Sequence, residues 1–320
     1  MPSSRPPLKL AFADFWEGFE PRENYLFHLI DRHYEIDLEG KPDYLIYSGF
    51  GNTHRGYDCV KIFWTGENLR ADMDACDYAF TSDYCGHPRH YRLPLYAYYH
   101  DPRNPADPCH PERLTDPKPP VETLLARKKK FCCALISNGG PPERVRFLER
   151  LSRYKKVDSG GRAFNNLGYV VPRIVDGRSG KVEFIRDYKF VLSFENASYP
   201  GYTTEKLLEP MAVHSIPVYW GNPLVGRDFN TRSFVNCHEY KDYDEAIARI
   251  IAIDQDDAEY RAIMSEPWFS GNTVNEFVKE ANVVNRFHRI FEFAPADSRR
   301  RRLRAAGWRA YDAISDRVRG

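Results

Sequence analysis

Between Tyr188 and Gly221 the chain reads YKFVLSFENASYPGYTTEKLLEPMAVHSIPVYWG, two apolar runs bracketing a polar, glycine-bearing turn and a helical stretch. The order strand, loop, helix, strand confines this segment to a crossover unit of a parallel sheet, because two parallel strands cannot be joined by a tight hairpin. The run Lys189-Phe190-Val191-Leu192-Ser193-Phe194 is then buried on both faces, and the loop after it opens at the carboxyl edge of the sheet, where ligands of open α/β sheets bind. Glu195, Asn196, Tyr202, Glu205 and Lys206 fall at or near that edge. Thr203 or Thr204 is placed to cap the helix, whose free N–H groups and positive dipole end suit a phosphate.

The same pattern recurs on either side. Short apolar runs at Leu8–Ala13, Tyr44–Tyr47, Lys61–Trp64 and Tyr78–Phe80, with a helix around Tyr25–Ile30, predict an N-terminal α/β domain. Asp101–Pro120 is rich in proline and charge and reads as a linker or surface loop. A second α/β pattern starts at Lys130–Ile136, turns at Ser137–Pro142 and enters a helix over Arg144–Arg153. Further helices are expected at Asp242–Asp254 and Asp256–Met264, with a long one over Asn272–Phe293. The expected division is 1–125, 126–294 and a tail, 295–320. In that tail Arg299 to Arg302, Arg304, Arg309, Arg317 and Arg319 surround an apolar face of Leu303, Ala310, Ile314 and Val318, a basic amphipathic helix. Such a helix can lie on an anionic membrane or pack as a solvated terminus, and both readings stand.

At 320 residues and a formal charge of +1, the chain carries no basic stripe with interleaved aromatics outside that tail and no bilayer-length apolar run. Nucleic acid is therefore not an expected partner. Seven cysteines without a CxxC spacing suit a reducing compartment, and the adjacent Cys132 and Cys133 read as small residues of a buried strand.

The runs Phe194-Glu195-Asn196, Tyr202-Thr203-Thr204-Glu205-Lys206 and Ile216-Pro217-Val218-Tyr219-Trp220-Gly221, continuing through Asp228-Phe229-Asn230 and Ser233-Phe234-Val235-Asn236, closely resemble the signature of the α-1,3-fucosyltransferases of glycosyltransferase family 10. Upstream, Phe63-Trp64-Thr65-Gly66-Glu67-Asn68 resembles the bacterial form of that family's catalytic-carboxylate motif. The resemblance implies a GT-B-like α/β fold, two Rossmann-like domains facing across a cleft, with acceptor recognition in the N-terminal half and nucleotide-sugar recognition in the C-terminal half. It implies inverting transfer of L-fucose from GDP-β-L-fucose to the 3-hydroxyl of N-acetylglucosamine in a lactosamine-type glycan. A bacterial-type cytoplasmic protein, touching the inner face of the membrane only through its tail, is the matching expectation. Tightly bound cofactors and metals are not expected, although the family is often stimulated by manganese.

Sugar transfer from a nucleotide diphosphate needs a base for the attacking hydroxyl and countercharge for the departing pyrophosphate. Glu67, after a strand-like run and a glycine, is the candidate base; the turn Thr-Gly-Glu-Asn alone would read as a helix cap, and the family match reverses that preference. Arg144 and Lys206 are the candidate countercharges, with Arg146 and Arg150 competing for the arginine's role. Glu205 would accept hydrogen bonds from ribose hydroxyls, or else simply favour the helix dipole. Tyr202 supports the phosphate or the sugar, or is a buried aromatic; Glu195 and Asn196 supply a carboxylate and an amide for the fucose, or Asn196 closes an Asx turn. Three alternatives stay open: another nucleotide sugar, an α-1,4 linkage, or a silent glycan- or nucleotide-binding protein of the same fold.

Overall fold

The computed structural model describes residues 6–140, 142–172, 174–175 and 178–293. The chain divides into two compact units. The first opens with β1 (Leu8–Ala13), α1 (Tyr25–Asp31), β2 (Ile36–Asp37), β3 (Tyr44–Tyr47), β4 (Val60–Trp64), β5 (Tyr78–Thr81) and β6 (His90–Arg92). These strands form a wholly parallel sheet in the order β2-β1-β3-β4-β5-β6. All five residues of β4 are buried, as a central parallel strand requires. Asn24 caps α1 by accepting from the Phe27 N–H at 3.0 Å.

The second unit contains α2 (Val121–Arg127), β7 (Lys130–Ala134), α3 (Pro142–Ser152), β8 (Val157–Ser159), a two-stranded antiparallel hairpin of β9 (Ile174–Val175) and β10 (Arg178–Ser179), and α4 (Gly180–Ile185). It continues through β11 (Tyr188–Phe194), α5 (Glu205–Ala212), β12 (Ile216–Trp220), β13 (Val235–Asn236), α6 (Tyr243–Gln255) and α7 (Asp257–Ser265). Its parallel sheet has the order β13-β12-β11-β7-β8. The order reverses between β7 and β11, so the loops leaving these two strands part company there and open a crevice at the carboxyl edge. Both units are thus Rossmann-like parallel α/β assemblies.

Three expectations change. The first stretch of the first unit ends at Leu93 instead of 125; the unit also takes Asp101–Arg103, and the chain returns to it again at Glu276. The reason is packing: α8 (Glu280–Phe293) stacks Phe287 on Phe80 with ring centroids 4.7 Å apart, while Arg286 donates to the Pro88 carbonyl at 2.7 Å. The long helix expected from Asn272 starts only at Glu280, because Gly271 and Asn272, within a 3-10 turn at Ser270–Asn272, adopt left-handed φ of 64° and 52°, and only a second short 3-10 turn, Glu276–Val278, follows before it. The spacing of Val274 and Val278 mimics helical periodicity, yet Val274 is buried from the segment between the two turns and Val278 from the second turn. Asp101–Pro120 is more than a surface loop, since Pro111–Thr115 forms a 3-10 helix and Cys109, Pro111 and Leu114 are buried. The basic tail lies outside the described residues. No described helix is long and apolar enough to cross a membrane, and Cys85, Cys109, Cys132, Cys133 and Cys237 are free thiols.

Candidate active site

The crevice between β7 and β11 holds a cavity of about 530 Å³, within the ~300–1,000 Å³ usual for small-molecule sites. Its walls come from the loop after β7 (Leu135–Asn138), the Gly160-Gly161 pair after β8, the end of β11 and one face of α5. A Cβ on Gly161 would lie 2.0 Å from the Ile136 carbonyl oxygen, so only glycine lets these two loops approach so closely.

Arg144, on the first turns of α3, is the cation most deeply set in the wall, 4% exposed. Its Nη2 donates to the Phe194 carbonyl at 2.9 Å and to Asn196 Oδ1 at 2.5 Å, and its Nη1 donates to the Asn138 carbonyl at 3.1 Å. These three acceptors orient the guanidinium across the ends of β7 and β11, while its buried Nε has no hydrogen-bond partner. Burial lowers the pKa of this group, but a guanidinium remains charged. A cation fixed by neutral acceptors keeps its charge uncancelled for an anion.

Across the cavity, Thr204 caps α5 and its hydroxyl accepts from the Lys206 backbone N–H at 3.4 Å. Beneath it lies Glu195, 0% exposed. Its carboxylate accepts from the Thr204 N–H at 2.7 Å and the Thr204 hydroxyl at 2.8 Å, and pairs with Lys206 Nζ at 3.3 Å. Burial raises the Glu195 pKa, with Lys206 acting in the opposite direction. For Lys206, burial alone would lower the pKa, but Glu195 and Glu205 outweigh it and raise it. Glu205 Oε1 stands 3.5 Å from Lys206 Nζ. Burial disfavours its charge, and Lys206 and Lys181 overcome that and lower its pKa. The lysine therefore stays protonated at the mouth of the helix.

The loop that carries these residues is held by Asn222, itself fully buried. Its Oδ1 accepts from the Gly201 and Leu224 N–H groups at 2.8 and 2.9 Å, and its Nδ2 donates to Thr203 Oγ1 at 3.1 Å. Gly221 precedes it for want of space, since a Cβ there would lie 2.3 Å from Glu195 Cγ.

Of the residues singled out in the sequence, Arg144, Asn196, Glu205 and Lys206 line the cavity together. Glu195 does not line the cavity; its carboxylate is held under the loop by Thr204 and Lys206, because a fully buried charge needs partners. Tyr202, 2% exposed, is buried as well. Glu67 belongs to the first unit, exposed in the loop at the carboxyl end of β4, where its N–H donates to Thr65 Oγ1 at 3.0 Å. Lys181 and Glu209 also line the cavity and were not singled out. Glu209 follows Glu205 at helical spacing on α5, a signal present in the sequence; Lys181 carries no motif.

Two family models match the chain. Residues 10–99 match the α-(1,3)-fucosyltransferase FucT N-terminal domain, and residues 125–289 match the glycosyltransferase family 10 (fucosyltransferase) C-terminal region. The chain belongs to glycosyltransferase family 10. It is 33% identical over 277 residues to an α-(1,3)-fucosyltransferase FucT of Helicobacter pylori, an alignment covering 76% of this chain and 56% of that protein. The family 10 chain thus spans little more than half of that relative. A crystal structure of an α1,3-fucosyltransferase matches with a TM-score of 0.73 at 28% identity, covering 90% of this chain and 91% of the other. An α1,3-fucosyltransferase crystallised with GDP-fucose matches with a TM-score of 0.72 at 28% identity, covering 91% and 92%. Two parallel α/β units are what a GT-B-like fold requires, in agreement with these structures.

Proposed function

We propose that this chain is an inverting α-1,3-fucosyltransferase that moves L-fucose from GDP-β-L-fucose to the 3-hydroxyl of N-acetylglucosamine in a lactosamine-type glycan. The observation that carries the donor assignment is the pairing of Arg144 with Lys206 and the capped start of α5 around one cavity at a sheet switch point. The arginine and the ammonium would take the diphosphate as its charge grows in the transition state. Glu205, also on the cavity wall, would accept from the ribose hydroxyls, and Asn196 would meet the fucose.

Glu67 is the proposed base. It would accept the acceptor's 3-hydroxyl proton as that oxygen bonds to the anomeric carbon, while the bond from that carbon to the β-phosphate oxygen breaks and GDP leaves with the electron pair. One displacement inverts the anomeric centre, from a β-linked donor to an α-linked product. With Arg144, Lys206 and a helix end facing the diphosphate, no tightly held metal is needed in this scheme. Manganese would act as a stimulant, tested by assaying with and without chelator.

The test is transfer of labelled fucose from GDP-fucose to N-acetyllactosamine, with the linkage read by nuclear magnetic resonance. An α-1,3 bond to N-acetylglucosamine is the expected product. Transfer of another sugar, an α-1,4 bond, or GDP binding without any transfer would favour the three alternatives in turn. The basic tail is proposed to hold the protein on an anionic membrane; equal binding of anionic vesicles by the full chain and by one ending at Pro295 would refute that.

A further inference from the structure

Glu209 is one of the polar groups on the cavity wall that none of the roles above uses, and Lys181 is another. Glu209 lies one turn beyond Glu205 on α5, 5% exposed, and lines the cavity wall. Its Oε1 is buried without a hydrogen-bond partner. The nearest cation is Lys181 Nζ, 3.8 Å away from it and also 3.8 Å from Glu205 Oε1, too far to donate to either. Tyr99 supplies one hydrogen bond to the Glu209 carboxylate. A buried acceptor left in this state is disfavoured by about 1–3 kcal/mol, and more when charged. Its presence on a cavity wall therefore points to a ligand that brings N–H groups to it. The same cavity is lined by the apolar residues Leu135, Ile136, Val170, Val171 and Pro172. A flat ring held against these side chains would meet a carboxylate on the same cavity wall.

We infer that Glu209 is the group that reads the nucleobase, accepting from two adjacent N–H donors on the edge of a guanine ring held against those apolar side chains. Guanine offers N1–H and the 2-amino group side by side, a pair matching the two lone-pair directions of a carboxylate. Hypoxanthine keeps N1–H and lacks the amino group. Adenine turns the N1 lone pair towards the same place and would leave the carboxylate unpaired and repelled. A site that pairs a buried polar group with the correct ligand rejects analogues lacking that donor far more strongly than an apolar pocket rejects a change of size. Glu205 would then meet the ribose and Glu209 the base, at successive positions along one helix face. This rests on the reading of the cavity as the nucleotide-sugar site, and it adds what makes the nucleotide a guanosine one.

The experiment is calorimetric titration of the full-length protein with GDP, with inosine diphosphate and with ADP, repeated on Glu209→Gln. Wild type should prefer GDP over inosine diphosphate by tenfold or more and bind ADP still more weakly. In Glu209→Gln the preference for GDP over inosine diphosphate should fall below threefold, chiefly through lost GDP affinity. A wild-type preference under threefold overturns the inference by itself, whatever the variant does. Tight GDP binding with an unchanged preference in Glu209→Gln overturns it too, while leaving the donor assignment intact. If wild type binds none of the three, the donor reading fails together with it.

Discussion

Replacing Lys206 by alanine should do two separable things. Its ammonium is the cationic partner of a carboxylate that has no access to water, with Glu195 0% and the Lys206 side chain 28% exposed. Removing one member of a buried pair leaves the other charge uncompensated, which destabilises proteins by ~3–5 kcal/mol. Glu195 keeps two hydrogen bonds from Thr204, and Lys206 is partly hydrated, so the low end applies, about 3 kcal/mol. For a unit of this size that lowers the melting temperature by roughly 6–12 °C. The second effect is loss of the diphosphate countercharge, expected to weaken GDP at least tenfold. A second variant separates the two. Lys206→Met combined with Glu195→Gln removes both charges, so its melting temperature should return most of the way to wild type while GDP affinity stays low. Thermal melts and calorimetry on the three proteins read both quantities. The reasoning is refuted if Lys206→Ala melts within about 2 °C of wild type, since an unpaired buried charge is worth several times that, or if the double variant recovers GDP affinity together with stability.

Glu67→Gln should bind GDP within twofold of wild type and lose on the order of 10²–10⁴-fold in transfer, the usual worth of a general base; unchanged turnover would remove Glu67 from that role. Gly221→Ala places a methyl 2.3 Å from Glu195 Cγ and 2.8 Å from the Tyr219 hydroxyl, with two buried groups to displace. We expect a loss of ~1–3 kcal/mol, seen as a lower melting temperature and weaker GDP binding. The fourth prediction concerns pH. Burial pushes the Glu209 carboxyl up to about 7, from an ordinary value near 4.5. Between these values the folded chain binds more protons than the unfolded one, so this group's contribution to stability declines as pH rises from about 4.5 to about 7. Glu209→Gln should lose less stability over that window than wild type, and parallel pH curves for the two proteins would contradict the assignment.

Much of the second unit was legible because its signals are local. The apolar runs of β7, β11 and β12, the polar turn and the Thr-Thr-Glu-Lys start of α5 each fix structure within a few residues, and Arg144, Asn196, Glu205 and Lys206 do share one cavity. The rest depends on side-chain contacts that only the fold makes. Whether Glu195 faces a ligand or the interior is decided by Thr204 and Lys206 folding back over it, and residue type alone does not distinguish the two. In the sequence Gly221 suits a turn and a close backbone approach to a ligand about equally; the cause visible in the fold is the Glu195 side chain against it. The return of α8 to the first unit depends on Phe287 finding Phe80 across two hundred residues, for which the sequence holds no local sign. The break before α8 was hidden for the opposite reason, since Val274 and Val278 imitate the helical period.

The most direct measurement is a crystal structure of the full chain with GDP. The account predicts the diphosphate between the Arg144 guanidinium and Lys206 Nζ at the start of α5, with the ribose hydroxyls at Glu205. GDP bound away from the β7 and β11 loops, or in that cavity with its diphosphate turned from both cations, would contradict the central claim.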